Sequence, residues 1–297
     1  MRYIPFVFVV LWATGFIAAK WGLPYAEPFT FLALRMALVV PIFFLLSRAL
    51  RSTRLTWTQR RDQMLVGLGT HGVYLGGVFV AIEHRMPAGI VALIVGTQPL
   101  LTALIGQFFL QKRLALREWA GIALGLGGIA VVLLQGGKME GALSVLNIGA
   151  AVLALLGMSL ATLWQSHRGG MTDLVAGGFW QYLAALALFV ALAAGLEQND
   201  VNWTAPFIGA WLWSVFVLSL VAILLWLYML RHGEAARVTQ FMYLSPPTTA
   251  LMAAFLFGEP LTPQTGFGAA LVVFGLYLAR RPSPAKHVEA AAPGRAS

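Results

Sequence analysis

Few residues in this chain's long apolar segments can do chemistry, and their spacing is informative. His71, Tyr74 and Val78 fall at i, i+3 and i+7, which places them on one face of a helix. A His and a Tyr side by side can hydrogen-bond a carboxylate or stack on an apolar side chain. The same pair can also serve only as an interhelical hydrogen bond that fixes packing. Pro99 removes the backbone bond its amide would have made and frees a carbonyl one turn earlier. Gln98 beside it brings an amide that both donates and accepts. Ser245, Pro246 and Pro247 repeat the arrangement, with Gln240 and Tyr243 in the two turns before. Freed carbonyls suit an ammonium group and exposed amides a carboxylate, so a pair of broken helices suits a zwitterion. The alternative is a kink that shapes packing alone.

Aromatic residues are abundant enough to serve two purposes. Trp57, Trp119 and Trp203 fall near the ends of apolar segments and read as interface anchors. Trp12, Trp164 and Trp180 fall deeper and are candidate cavity walls or core packing. Arg35 lies about two turns into its segment, where a charge either snorkels to the surface or pairs within the bundle. That makes it a candidate partner for a substrate carboxylate, or a structural cation. Deep acidic residues are not expected, because Glu27 and Glu83 fall near segment ends. A central carboxylate that carries protons is therefore unsupported, although His71 could titrate near neutral pH. There is no Walker lysine motif, no H-E-x-x-H and no Ser-elbow pattern. No catalytic residue, cofactor or metal is expected, and the chain does not read as an enzyme.

The elements that must position these residues follow from composition. Hydrophobic residues make up 59% of the 297, charged residues 10%, and the mean hydropathy is +0.79. Soluble domains carry roughly 25% charged residues, so a water-soluble globule is excluded. Ten apolar segments can be read, at 4–22, 28–47, 65–83, 86–110, 118–135, 145–166, 173–195, 206–230, 235–257 and 264–280. Each is long enough for a membrane helix of about 20 residues and too long for a porin-type strand. The net charge of +9 reads as membrane topology rather than nucleic-acid binding. The absence of cysteine excludes disulfides, thiol nucleophiles and Cys-based metal sites. Ile4 to Leu23 lacks a basic lead-in and reads as a retained helix rather than a signal peptide.

The two halves are related. With an offset of 147 residues, Pro99 falls on Pro246, Thr102 on Thr249, Phe108 on Phe255, Gly121 on Gly268 and Gly128 on Gly275. The approximate counterpart of Arg35 is Gln181 or Tyr182, so the cation is not duplicated. Placing both termini in the cytoplasm puts fifteen of the twenty Lys and Arg on the inner side and only Lys20, Arg85 and Lys138 on the outer side. Arg35 and Arg237 lie within segments. This bias fits the positive-inside rule. Because five is odd, the second copy must enter the membrane upside down. The expectation is an all-α integral membrane protein of ten transmembrane helices arranged as two inverted five-helix repeats, 1–140 and 141–281. A disordered cytoplasmic tail, 282–297, follows. Mirrored proline breaks in such repeats point to a midplane binding site and alternating access. Gly121 and Gly125 form a GxxxG in the fifth helix, whose ordinary use is close packing within the chain. A monomer or a homodimer is compatible with it.

Gly258-Glu259-Pro260-Leu261-Thr262, followed by Gly268-Ala269-Ala270-Leu271 and Gly275, resembles the closing signature of a repeat in the drug/metabolite transporter superfamily, EamA type. Leu11-Trp12-Ala13-Thr14-Gly15-Phe16 with Lys20 is similar to that family's first helix, and Glu27-Pro28, Phe31 and Leu34-Arg35 to the start of its second. The resemblance covers residues 4–281. In the first copy Gln111-Lys112-Arg113-Leu114 replaces the Gly-Glu signature, so Glu259 reads as an outer-loop cap for the last helix rather than a transport residue. The resemblance implies ten helices, export of small metabolites, often amino acids, and a cavity lined by helices one to four and six to nine. Among the branches it is most similar to the YddG-like amino-acid exporters. The expected partners are a small-molecule substrate and the lipid bilayer, with no nucleic acid. The expected location is a bacterial-type inner membrane. Candidate substrate-binding residues are Trp12, His71, Tyr74, Gln98, Pro99, Trp164, Gln240, Tyr243, Ser245 and Pro246. The rivals are an exporter of amphipathic or cationic drugs, which would favour an exposed intramembrane carboxylate, and an intramembrane enzyme, which would need a catalytic dyad.

Overall fold

A computed structural model describes residues 3–109, 111, 113–134, 143–168, 172–222, 225, 229 and 242–279. Gln240, Arg237, the first part of the ninth segment and the tail 282–297 lie outside the described residues. The regular elements are helices: α1 (Ile4–Gly22), α2 (Pro28–Ala49), α3 (Trp57–Gly67), α4 (Tyr74–Glu83), α5 (Ala88–Gly96), α6 (Gln98–Phe109), α7 (Leu116–Leu133), α8 (Val145–Arg168), α9 (Leu174–Leu196), α10 (Ala205–Leu212), α11 (Ser245–Phe257) and α12 (Pro263–Ala279). A π-helical stretch, Leu68–Val73, joins α3 to α4 without a break, and a second, Trp213–Val221, continues α10. Among the described residues six helical spans are long and apolar enough to cross a membrane, and four more are shorter and apolar.

Local chemistry explains the boundaries. α2 starts on Pro28, whose missing N–H costs nothing at the first helical position. α3 starts at Trp57, eight residues before the apolar run that marks the third segment. Thr56 caps it: Thr56 Oγ1 accepts from Gln59 N–H at 3.3 Å, and Gln59 Oε1 accepts from Thr56 N–H at 2.9 Å. This capping box is the signal that hydropathy missed. It brings Gln59, Arg60, Arg61, Asp62 and Gln63 into the helix. The fourth segment breaks at Thr97, between α5 and α6, directly before Gln98 and Pro99. α11 has Pro246 and Pro247 in its first turn and stops at Gly258, whose φ of +66° is a left-handed cap.

Small residues set the helix packing, as expected where apolar surroundings give helices no hydrophobic reason to associate. A Cβ on Gly121 would lie 2.5 Å from the Gly275 carbonyl oxygen, and one on Gly275 would lie 2.5 Å from that of Gly121. Gly128 and Gly268 make the same mutual approach, at 2.5 and 2.6 Å. Early α7 therefore meets late α12 and late α7 meets early α12, so the two run antiparallel. The pairing is reciprocal: Gly121 and Gly268 are matched at the 147-residue offset, as are Gly128 and Gly275. The GxxxG glycines of α7 are thus engaged within the chain. The core between helices is aromatic, with Phe31, Phe43, Phe79, Phe189 and Phe207 fully buried. Phe108, Phe109, Phe255 and Phe267 stand exposed on the outside of the bundle.

Candidate functional site

Arg35 sits in the interior. It is 6% exposed, and its Nε and Nη2 both donate to Ser219 Oγ, at 3.3 and 3.0 Å. Its charge lies within electrostatic reach of Tyr74, Tyr182 and His71. Ion pairs among the described residues include Lys20–Glu259, Arg61–Asp62 and Glu83–His84, and no described carboxylate pairs with the Arg35 guanidinium. The side-chain hydrogen bonds from Nε and Nη2 thus both end on one hydroxyl oxygen, although a guanidinium carries five N–H donors. His71 stacks on Tyr182 with ring centroids 4.2 Å apart and 20° between planes, and Tyr182 in turn meets Phe43 at 4.9 Å. Tyr74, one turn beyond His71, is buried.

Both π-helical stretches border this centre. His71 lies in the first and Ser219 in the second. Shifting Leu68–Val73 by 147 residues gives 215–220, inside Trp213–Val221. A π turn inserts an extra residue, re-aims side chains and loosens the i→i−4 ladder, and such turns cluster at functional sites. A row of amides leads away from the centre. His71 approaches Gln181, Gln181 Nε2 donates to Gln63 Oε1 at 2.6 Å, and Gln63 Nε2 donates to Gln165 Oε1 at 3.3 Å. Gln63 is 1% exposed, and beside it Asp62 is also buried, with Oδ1 3.5 Å from Arg61. Asp62 is brought inside the helix by the capping box at Thr56, in a stretch where hydropathy places no segment. It stands near the start of α3, not at the centre.

The proline breaks form a second group. Gln98 Nε2 donates to Thr102 Oγ1 at 2.9 Å and to Thr162 Oγ1 of α8 at 3.1 Å. A Cβ on Gly96 would lie 2.5 Å from Pro246 Cγ, so the two interruptions face each other. Pro99 is half-buried at the second position of α6, Ser245 and Pro246 are buried, and Tyr243 packs half-buried against the main core. Trp12 stands apart, its ring tilted against Phe8 with centroids 5.9 Å apart, in a small cluster with Val9, Met229 and Met242. Trp164 is 37% exposed, with the Arg168 guanidinium 5.8 Å from its ring. Trp180 likewise lies under Arg60, at 5.1 Å, in the second turn of α9 rather than deep in the bundle.

Glu259 caps a different helix from the one anticipated. Its carboxylate accepts from Ala88 N–H at 2.8 Å and Gly89 N–H at 3.3 Å, at the start of α5, and pairs with Lys20 of α1. Negative charge at a helix N-terminus is favourable, and here it ties three parts of the chain together. Glu197 does the same for α2, accepting from Phe29 and Thr30 N–H at 2.7 Å each. Ser219, Gln63 and Glu197 were not singled out by sequence, since a serine in an apolar helix and polar residues at a helix end carry no distinguishing pattern.

Membrane-length helices around a buried polar centre define a multi-pass membrane protein. The chain belongs to the EamA-like transporter family, whose profile matches residues 3–134 and again 146–281. It is similar to the uncharacterized inner membrane transporter YedA of Escherichia coli K12, 29% identical over 92% of this chain and 88% of that one. It is 28% identical, over 93% of both chains, to a probable amino-acid metabolite efflux pump of Salmonella typhimurium. It is 26% identical, over 97% of this chain and 95% of the relative, to a probable terminal-alkyne amino-acid exporter of Streptantibioticus cattleyicolor. A solved crystal structure shares the fold with a TM-score of 0.64 at 19% identity, covering 94% of this chain and 96% of that chain.

Proposed function

We propose that this protein exports a small zwitterionic metabolite, an amino acid, across the inner membrane by alternating access. The observation that carries this reading is Arg35: a buried guanidinium with no carboxylate beside it among the described residues, facing His71, Tyr74 and Tyr182. A substrate carboxylate supplies the missing acceptor, and two parallel N–H···O bonds from arginine orient it. The stacked rings of His71 and Tyr182 offer an apolar and aromatic wall to the substrate side chain. The facing breaks at Gln98-Pro99 and Ser245-Pro246 are assigned to the ammonium group, through the carbonyls that proline leaves unbonded. The helices are assigned to two inverted five-helix repeats. The reciprocal glycine contacts between α7 and α12 and the matched π-helical stretches support this, since mutual i–j and j–i contacts are the mark of a two-fold relation. Relatives named as an amino-acid metabolite efflux pump and a terminal-alkyne amino-acid exporter support the substrate class.

Counterflow in proteoliposomes tests the reading, using a panel of radiolabelled amino acids and a quaternary ammonium ion. Accumulation of at least one amino acid above protein-free vesicles is expected. Uptake of the quaternary ammonium alone would move the protein to drug export. The same assay with and without a pH gradient separates proton coupling from facilitation.

A further inference from the structure

At the arginine-rich end of the bundle, away from the Arg35 centre, a cavity of about 580 Å³ lies between the α2–α3 connection and α9. Arg48, Arg51, Arg54 and Arg60 line it, and no carboxylate is among its lining residues. Its floor is aromatic: Phe44, Phe179 and Trp180. Arg48 lies over the Phe44 ring at 5.3 Å and Arg60 over the Trp180 ring at 5.1 Å. Arg60 is further held by donating to the Leu55 carbonyl at 2.9 Å. Four guanidiniums around one space repel one another unless an anion joins them, and the arginine fork matches phosphate oxygens two at a time.

The surroundings distinguish a lipid from a free anion. Leu45 and Leu50, on the last turns of α2 and just beyond it, are 65% and 59% exposed, and Phe44 is 43% exposed. Charge and apolar surface are therefore contiguous, as a phospholipid's headgroup and acyl chain require. The positive-inside bias assigns this end to the cytoplasm, where the leaflet carries anionic lipids and basic pockets between helices take their headgroups. Topology alone asks only for basic residues in the loop. It does not ask that four of them share an aromatic-floored cavity.

We infer that this cavity is a binding site for the phosphate headgroup of an anionic phospholipid, whose acyl chain lies along Phe44, Leu45 and Leu50. The inference is independent of what the protein transports. It is tested on the purified full chain in detergent by native mass spectrometry and thermal melting, with phosphatidylglycerol, cardiolipin, phosphatidylcholine or inorganic phosphate added separately. Cardiolipin or phosphatidylglycerol is expected to be retained and to raise the melting temperature, with phosphatidylcholine and phosphate doing neither. One juxtamembrane arginine contributes about fivefold to anionic-lipid affinity. Arg51→Gln with Arg54→Gln should therefore weaken retention by about 25-fold. Equal retention of phosphatidylcholine by the wild-type protein would overturn the proposal without any variant. So would full protection by inorganic phosphate, or unchanged anionic-lipid retention in a double variant that melts like the wild type without lipid.

Discussion

Arg35 is the residue on which the account turns. An ionised side chain inside a membrane bundle is expensive unless it is paired or hydrated, and intramembrane charges are usually functional for that reason. Ser219 Oγ accepts from Nε and Nη2, which holds the guanidinium in place through a neutral partner. Arg35→Gln is expected to keep the chain in the membrane but weaken amino-acid affinity by roughly 30-fold, the worth of a charge-assisted hydrogen bond of about 2 kcal/mol. Concentration-dependent counterflow would measure it. Unchanged affinity would reduce Arg35 to a structural cation. Tyr74→Ala and His71→Ala should each lower transport with insertion intact, and wild-type rates in both would remove that face from the site. Much at this scale was legible in the sequence. The His71–Tyr74 spacing gave one face, and the approximate counterpart of Arg35 in the second half, Gln181 or Tyr182, lies in the same centre. The neighbour of Trp180, Arg60, was not legible, because it comes from a helix extension that hydropathy does not register. The partner of Glu259 was hidden because a cap between distant segments has no local spacing to betray it.

Among the elements, the paired helices α7 and α12 and the capped N-termini of α2 and α5 make the sharpest predictions. A side chain at Gly121 or Gly128 must push against the backbone of the facing helix rather than against a flexible side chain. Gly128→Leu is expected to destabilise by about 1–3 kcal/mol, the usual cost of overpacking, lowering the melting temperature in detergent. An unchanged melting temperature would mean that α7 and α12 are not in contact as described. Glu259→Gln removes the charge that both pairs with Lys20 and caps α5, and a loss of about 1 kcal/mol is expected from the cap alone. Thermal melting of Glu259→Gln against wild type reads it, and a variant as stable as wild type would show the cap to be dispensable. Helix existence was legible from hydropathy, and the break at Thr97 from Pro99. The start of α3 was not, because its first turns are polar and only the Thr56–Gln59 capping box marks them. The π-helical stretches were not legible either, since nothing in Leu68–Val73 or Trp213–Val221 departs from ordinary helix-compatible sequence.

Across the whole molecule, the EamA-like profile matches the chain twice. Glycines that pair reciprocally and the π turns fall at positions related by the 147-residue offset, whereas Arg35, His71 and Ser219 have no like counterpart across it. The proposed export reading assigns selectivity to these unmatched residues, with Arg35 as the partner of a substrate carboxylate. The direct measurement is counterflow of a radiolabelled amino acid that the wild-type protein accepts, competed by the unlabelled amino acid or by the amine that lacks its carboxylate. The account predicts that the amino acid competes at least tenfold better than the amine in the wild-type protein, and that Arg35→Gln erases most of that difference. Equal competition by the amine in the wild-type protein would contradict it.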